Sequence, residues 1–325
     1  MASSTPASGI ELGGGLRPPS DASPQDGLRG RSPRSDAAPS GETPIRSSTL
    51  WRDGARRLLR NRLAVAGGSV IVLLCLIAIF ADLLAPLPYT KTNFDRLNEA
   101  PSRDYPLGTD QLGRDLLSRM IHGARVSLIV GLGAQVIVVL IGVPIGALSG
   151  YLGGRVDLFL TRFVDVMYAF PRLLFVILVM SMLGAGLWNI FIAIGLTGWV
   201  GIARQTRAQV LAIKEKEFVD GARALGAGFA RVLTRHILPN ALTPIVVAVT
   251  FGIPEAIFTE AALSFIGVGI NPPTPSWGQM VGEGQQYIRS YWHLCVFPSI
   301  AIAVTMLSFT FFGDGVRDAL DPKLK

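Results

Sequence analysis

Charge is scarce in this chain of 325 residues: Asp, Glu, Lys and Arg together make up 16% of it, against 50% for hydrophobic residues. Soluble domains carry about 25% charged residues. The shortage, joined to long apolar runs, excludes an ordinary water-soluble globule and marks a polytopic membrane protein. Cysteine is nearly absent. Cys75 and Cys295 lie far apart, in or beside apolar runs, and no CxxC or Cys/His ligand spacing exists. They read as two core thiols, with neither a disulfide scaffold nor a metal site. The 3 histidines, His122, His236 and His293, fall in separate segments without ligand spacing. No GxxxxGK[ST] stretch occurs, so the chain has no phosphate cradle and is expected to be a non-catalytic subunit that hydrolyses no ATP itself. Gly221–Gly228, GARALGAG, is glycine-rich but lacks the strand and lysine of a nucleotide loop. GTDQLGRD, Gly108–Asp115, lacks the acidic alternation and terminal Glu of a calcium loop. No serine has local partners that mark a nucleophile.

What is present is apolar sequence in lipid-length pieces. Residues 1–48 are rich in Ser, Pro, Gly, Ala and Arg, have no apolar signal core, and read as a disordered tail. Residues 49–62 follow, with Leu58 and Leu59 among Arg52, Arg56, Arg57, Arg60 and Arg62, the pattern of an amphipathic helix lying on an anionic membrane face. The lipid-length run that comes next argues against a nucleic-acid patch. The first span is 63–81, and residues 82–125 form an external loop. Further spans are expected near 126–149, 158–183, 188–202, 241–266 and 294–312. Pro171 should kink the third and Pro239 should break the helix before the fifth. Residues 314–325 form a tail. The loop 204–240 carries Arg204, Arg207, Lys214, Lys216, Arg223, Arg231 and Arg235, whereas the segment 271–292 has Arg289 alone. That bias places both termini and the 204–240 loop in the cytoplasm.

Three groups of charged residues stand out. Asp165 lies in the third span near Arg162 and Arg172 and is expected to form a buried pair with one of them. Glu255 and Glu260 place two carboxylates in the fifth span; they either line a wet path and meet a peptide amine, or hold helices and subunits together. Asp110, Arg114, Asp115 and Arg119 read as a capped, ion-paired helix start outside the membrane.

The 204–240 loop is the most elaborate segment. Glu217–Leu225 has acids at its start, Arg223 further on, and a nearly bare backbone at Gly221, Ala222 and Ala224. Gly226 and Gly228 can end that helix and turn the chain into a second, Phe229–Leu238. The physical reading is an elbow joined directly to two spans. It suits either docking by a partner or rest on lipid headgroups.

Asp220-Gly221-Ala222, three residues, Gly226, nine residues, then His236-Ile237-Leu238-Pro239 resembles the EAA loop of ABC-importer permeases. Asp220, Gly221 and His236 depart from the commonest residues there. PLGTDQLGRDLLSRMIHGARVSL (Pro106–Leu128), PSWGQM (Pro275–Met280) and GDGVRDALDP (Gly313–Pro322) resemble segments of the dipeptide/oligopeptide/nickel permease group, and the short first external loop is similar to that of the second subunit of its heterodimers. The resemblance spans about residues 50–325 and implies an all-α membrane protein of six transmembrane helices with the type I ABC importer permease fold. It also implies an inner-membrane location and assembly with a homologous permease, two ATPase subunits that hold ATP and Mg, and an external substrate-binding protein. Glu217, Asp220, Gly221, Ala222, Ala224, Gly226, Ala227, Gly228, Phe229 and Arg231 become the expected ATPase-coupling surface, and Asp110, Arg114 and Asp115 lie in the expected outer-gate region. Peptide is the expected cargo; nickel or another small solute, or an ion-driven secondary transporter, are the alternatives. Internal repeats with broken helices, the mark of many secondary transporters, are not seen in the sequence.

Overall fold

The structure, a computed structural model, describes residues 50–320, with side chains from Gly54 onward. The expected tail at 1–48 and residues 321–325 lie outside the described residues. Helices make up almost all regular structure. Helix α1 (Leu50–Leu58) precedes α2 (Arg62–Ile79) and the short α3 (Ala81–Leu84). Helix α4 (Leu116–Leu152) is followed by α5 (Gly154–Ala169), α6 (Arg172–Leu183) and α7 (Leu187–Lys214). The elbow holds α8 (Glu217–Ala224) and α9 (Phe229–Arg231), which runs through a π-helical turn at Val232–Ile237 into α10 (Leu238–Ile266). Helices α11 (Trp277–Gly284) and α12 (His293–Leu320) complete the described residues. Among the described residues, five helices are long and apolar enough to cross a membrane, or six if the bent pair α5–α6 is one span.

Several elements run past their expected limits, for physical reasons. The second span was expected from 126, with 82–125 as loop, but α4 begins at Leu116. Asp115 caps it, accepting from the Ser118 N–H at 2.8 Å, and Asp110 pairs with Arg114 and Arg119, so the expected capped, ion-paired helix start runs without a break into the span. Its 37 residues measure about 55 Å, well beyond a ~30 Å hydrocarbon layer. Helix α7 continues twelve residues past the expected end at Ile202, to Lys214, and α12 continues through 314–320, where a tail was expected. Close packing extends α12: a methyl group on Gly315 would meet Ala64 and Leu58, and one on Gly54 would sit 3.4 Å from the Ala319 carbonyl. Helix α1 is thereby seated on the end of α12.

The two proline expectations also change. The third span is two helices bent by 89° at Phe170–Pro171, not one kinked rod. Pro239 does not break the chain. It sits in the first turn of α10, just after the π turn, where the Leu238 N–H bonds to the Leu233 carbonyl five residues back. Proline lacks an N–H and its ring crowds the carbonyl four residues earlier; the widened turn just before it lets the helix pass through. Phe229–Ile266 is then one continuous 38-residue rod.

The bundle centres on α4 against α7. Gly142, Gly146 and Gly150, spaced by one turn, face the carbonyls of Trp199, Ala203 and Arg207. A methyl group on Gly142 or Gly150 would come within 2.7 or 2.8 Å of the facing oxygen. Small residues at helix spacing let two backbones close up without a side-chain layer between them. Val126, Val130, Val176, Ile190, Ile194, Ala256 and Leu263 form the main core between α4, α6, α7 and α10. The elbow lies at one end of this bundle. At the far end lie the 85–115 loop and α11.

Candidate functional site

Helix α8 has eight residues, too few to hold itself together in water. One apolar side chain ties it down. Val219 is fully buried among Ala147 of α4, Val210 of α7 and Val232, Leu233 and Ile237 of the π turn. The helix ends on Gly226 at φ +81°, with the Gly226 N–H on the Arg223 carbonyl and the Ala227 N–H on the Ala222 carbonyl. This paired closure needs a left-handed residue, which glycine supplies without strain. Tyr151 at the end of α4 packs edge-on to Phe229 at 5.0 Å and lies under the Arg223 guanidinium. Lys214 donates to the Gly150 carbonyl at 3.1 Å. The elbow is therefore bolted to the ends of α4, α7 and α10 together.

The other face of the elbow is bare. Glu217, Phe218, Asp220, Gly221, Arg223, Ala224, Gly226, Gly228, Phe229 and Arg231 are exposed, Ala222 and Ala227 are half-buried, and Leu225 is 91% exposed. Nothing lies within 4 Å of where a side chain would start on Gly221, Gly226 or Gly228. Asp220 pairs with Arg223 at 3.0 Å across the surface. Sequence reasoning assembled this surface but missed its anchors: Val219 looks like any apolar residue, and Tyr151 lies far away in the chain.

The charges of α5 meet α7, not one another. Asp165 pairs with Arg204 at 2.6 Å, with both side chains over 40% exposed, so the expected buried pair with Arg162 or Arg172 does not form. Two turns earlier on α5, Asp157 takes a two-pronged hydrogen bond from Arg207 at 2.6 and 2.7 Å and accepts from Ser149 and Thr161. The two pairs form a ladder between antiparallel helices, which no sequence spacing signals. Arg172 instead reaches Glu255. Glu255 is exposed, whereas Glu260, one and a half turns on, is fully buried and accepts from the Ser264 hydroxyl at 2.8 Å. The structure thus separates two carboxylates that the sequence presents alike.

At the far end, Asp110, Arg114, Asp115 and Arg119 are all buried. Asp110 accepts from Arg114 at 2.6 Å and from Arg119, and both guanidiniums reach Glu283 of α11, at 3.5 and 3.0 Å. Glu283 escaped sequence reasoning; it closes a cluster of two acids and two bases that locks the 85–115 loop onto α11. Beside it, the Arg125 guanidinium and then the His122 ring hold the exposed Asp82 carboxyl below its usual range. Among the described residues no cluster of His, Cys, Asp and Glu is arranged to hold a metal ion.

Residues 142–325 match the family described as "binding-protein-dependent transport system inner membrane component", and residues 49–101 match the "N-terminal TM domain of oligopeptide transport permease C". An oligopeptide transport system permease protein OppC of Bacillus subtilis is 45% identical over 281 residues, covering 86% of this chain and 92% of its own. A dipeptide transport system permease protein DppC of the same organism is 43% identical over 280 residues, with 86% and 88% covered. A glutathione transport system permease protein GsiD of Pectobacterium atrosepticum is 42% identical over 280 residues, with 85% and 92% covered. Among solved structures, a chain of the MetNI methionine ABC transporter in an inward-facing conformation superposes with a TM-score of 0.53 at 18% identity, covering 62% of this chain and 96% of its own. That likeness shows the fold, the type I importer permease arrangement. The elbow sequence, the multi-span helical bundle and these relatives converge: the chain belongs to the permease family of ABC importers, as a non-catalytic membrane component.

Proposed function

We propose that this chain is one of two permeases in an ATP-driven importer of di- or oligopeptides, and that α8 is where ATPase motion enters it. The observation that carries this reading is the two-faced elbow: a bare, glycine-rich outer surface on a helix fixed from beneath by Val219. A partner groove can approach such a backbone closely, and its displacement passes into the helices to which the elbow is bolted. The relatives named for oligopeptide, dipeptide and glutathione transport support peptide as cargo. In this reading a homologous permease completes the path, two ATPase subunits hold ATP and Mg, and an external binding protein delivers the peptide. The elbow end faces the cytoplasm of a bacterium, the far end faces outward, and the chain sits in the inner membrane. ATP binding draws the ATPases together, their grooves move, and the bundle exchanges inward-open and outward-open states.

The test is uptake of a labelled dipeptide into vesicles holding the complete complex. Uptake should require ATP and the binding protein and should fail when the elbow is disrupted. ATP-independent uptake by the chain alone would replace this reading with a secondary transporter, and ATP-driven uptake of nickel but not peptide would change the cargo. Cross-linking that reached the elbow only from the external side would overturn the orientation.

A further inference from the structure

A cavity of 480 Å³ opens where the third span breaks, against α7 and α10. Its volume falls in the range of about 300–1,000 Å³ usual for small-molecule sites. Arg172 and Glu255 are the charged groups among its lining residues. Glu255 stands eleven residues, about 16 Å, from the far end of α10, and Gly198, beside the Arg172 guanidinium, stands the same distance from the far end of α7. The pair therefore lies near mid-depth in a ~30 Å layer. At that depth lipid rejects ions, so the pair faces protein or a wet cavity. It is not sealed into the core: Glu255 is 60% exposed and Arg172 31%, and the Arg172 Nε is buried without a hydrogen-bond partner. The remaining wall is apolar and aromatic. Phe170 and Phe175 stack at 5.8 Å, with Tyr168 and Met167 adjoining.

We infer that this cavity is a transit site for a zwitterionic peptide, in which Glu255 takes the free amino terminus and Arg172 the free carboxylate. The inference rests on the peptide-importer reading above and extends it to a recognition mode. One carboxylate and one guanidinium on the wall match the two charges that every unmodified peptide carries, whatever its side chains. Phe170, Phe175 and Met167 offer apolar contact to side chains without reading their sequence. With no ligand the two charges satisfy each other across the gap between α6 and α10. A zwitterion exchanges that one pair for two, and the Arg172 fork is suited to hold a carboxylate through two parallel bonds. The pair's exposure favours such an exchange, because it leaves room for a ligand to enter between the partners.

The test uses the assembled transporter in lipid nanodiscs, without nucleotide or binding protein, so that selection by the latter does not intervene. The probe is alanyl-p-benzoylphenylalanine, alongside its N-acetyl form and its carboxyl amide, with photo-adducts mapped by mass spectrometry. The free dipeptide should label residues 167–175. Each capped form should label them roughly tenfold less, the loss of one charge-assisted contact. Glu255→Gln should abolish the advantage of the free form over the N-acetyl form and preserve its advantage over the amide; Arg172→Gln should do the reverse. If Glu255→Gln and Arg172→Gln each lowered labelling by all three probes alike, leaving the wild-type ranking in place, the pair would be a tie between helices and the inference would fail. Equal labelling by all three probes in the wild-type complex, or none at 167–175, would overturn it without any variant. Should the wild-type complex show no ATP-dependent dipeptide uptake, the importer reading falls too; with uptake intact, only this inference does.

Discussion

Val219→Ala isolates the elbow as a mechanical part. The valine is fully buried between the ends of α4, α7 and the π turn, and it is the one buried residue of α8. Two carbons are removed, worth about 0.8 kcal/mol each in lost transfer from water. The cavity left behind raises the cost to about 2 kcal/mol, because the surrounding side chains relax only in part. Helix α8 is too short to persist by itself, so nearly all of that loss should appear as local release of the elbow and little as unfolding of the bundle. An energy of that size corresponds to roughly a thirtyfold rise in the released population. Hydrogen exchange on the purified complex reads it directly. Amides of α8 should lose roughly thirtyfold protection, while those in the centres of α4 and α7 keep theirs. In vesicles the ATP consumed per peptide imported should rise, since a loosened lever transmits less of the ATPase movement. Unchanged protection of α8 would refute the claim that Val219 holds it. Lost protection with an unchanged ATP-to-peptide ratio would refute the claim that the elbow carries work.

Other substitutions probe neighbouring links. Gly221→Ala adds a methyl group into open space on the bare face and should stabilise the isolated helix by about 0.5–1 kcal/mol, yet weaken ATPase association in a titration if the partner needs the bare backbone; tighter or equal association would count against close docking. Gly226→Trp forces a side chain into a left-handed turn at about 1–2 kcal/mol and places bulk on the docking face; membrane insertion should survive while co-purifying ATPase is lost, and full assembly would contradict the model of docking. Asp110→Ala leaves Arg114 and Arg119 buried with one carboxylate between them, a loss of about 3–5 kcal/mol that should show as faster tryptic cleavage at Arg96 and Arg103 in the 85–115 loop; unaltered cleavage would mean that the cluster does not hold that loop.

The spans, the elbow and its glycine turn were legible because each rests on local sequence: apolar runs of lipid length, or a helix followed by a residue able to turn left-handed. What was not legible depended on the third dimension. Asp115, Arg114 and Arg119 signalled a capped, ion-paired helix start, but nothing local joined that start to the span after it, and only the far-end ion pairs, one reaching Glu283 over 160 residues away, explain how charge is carried inside one continuous helix there. The partners of Asp165 and Arg172 were misassigned for the same reason. Sequence proximity favours neighbours on one helix, but α5 turns its acids toward α7, and the 89° break turns Arg172 toward α10. Glu255 and Glu260 could not be told apart in sequence because burial, not residue type, distinguishes them.

The passage through Pro239 has a mechanical consequence. Had the proline broken the chain, the elbow would hang from α10 by a loose joint, and a push on α8 would dissipate there. With the π turn absorbing the proline, a single rod of 38 residues, about 57 Å, carries both the Val232–Ile237 wall that grips Val219 and, further along, Glu255. Helix α7, which supplies Val210 to the same grip, also carries Gly198 beside Arg172. Under the proposed function, a displacement at the elbow therefore reaches both walls of the mid-depth cavity through continuous helix, which on the α10 side includes Pro244. The sharpest bend lies elsewhere, at Phe170–Pro171, where the chain turns by 89° between α5 and α6. Movement of α10 relative to α6 then strains the Arg172–Glu255 pair at the moment the path changes its opening, so one element can both transmit ATPase motion and release what the cavity holds.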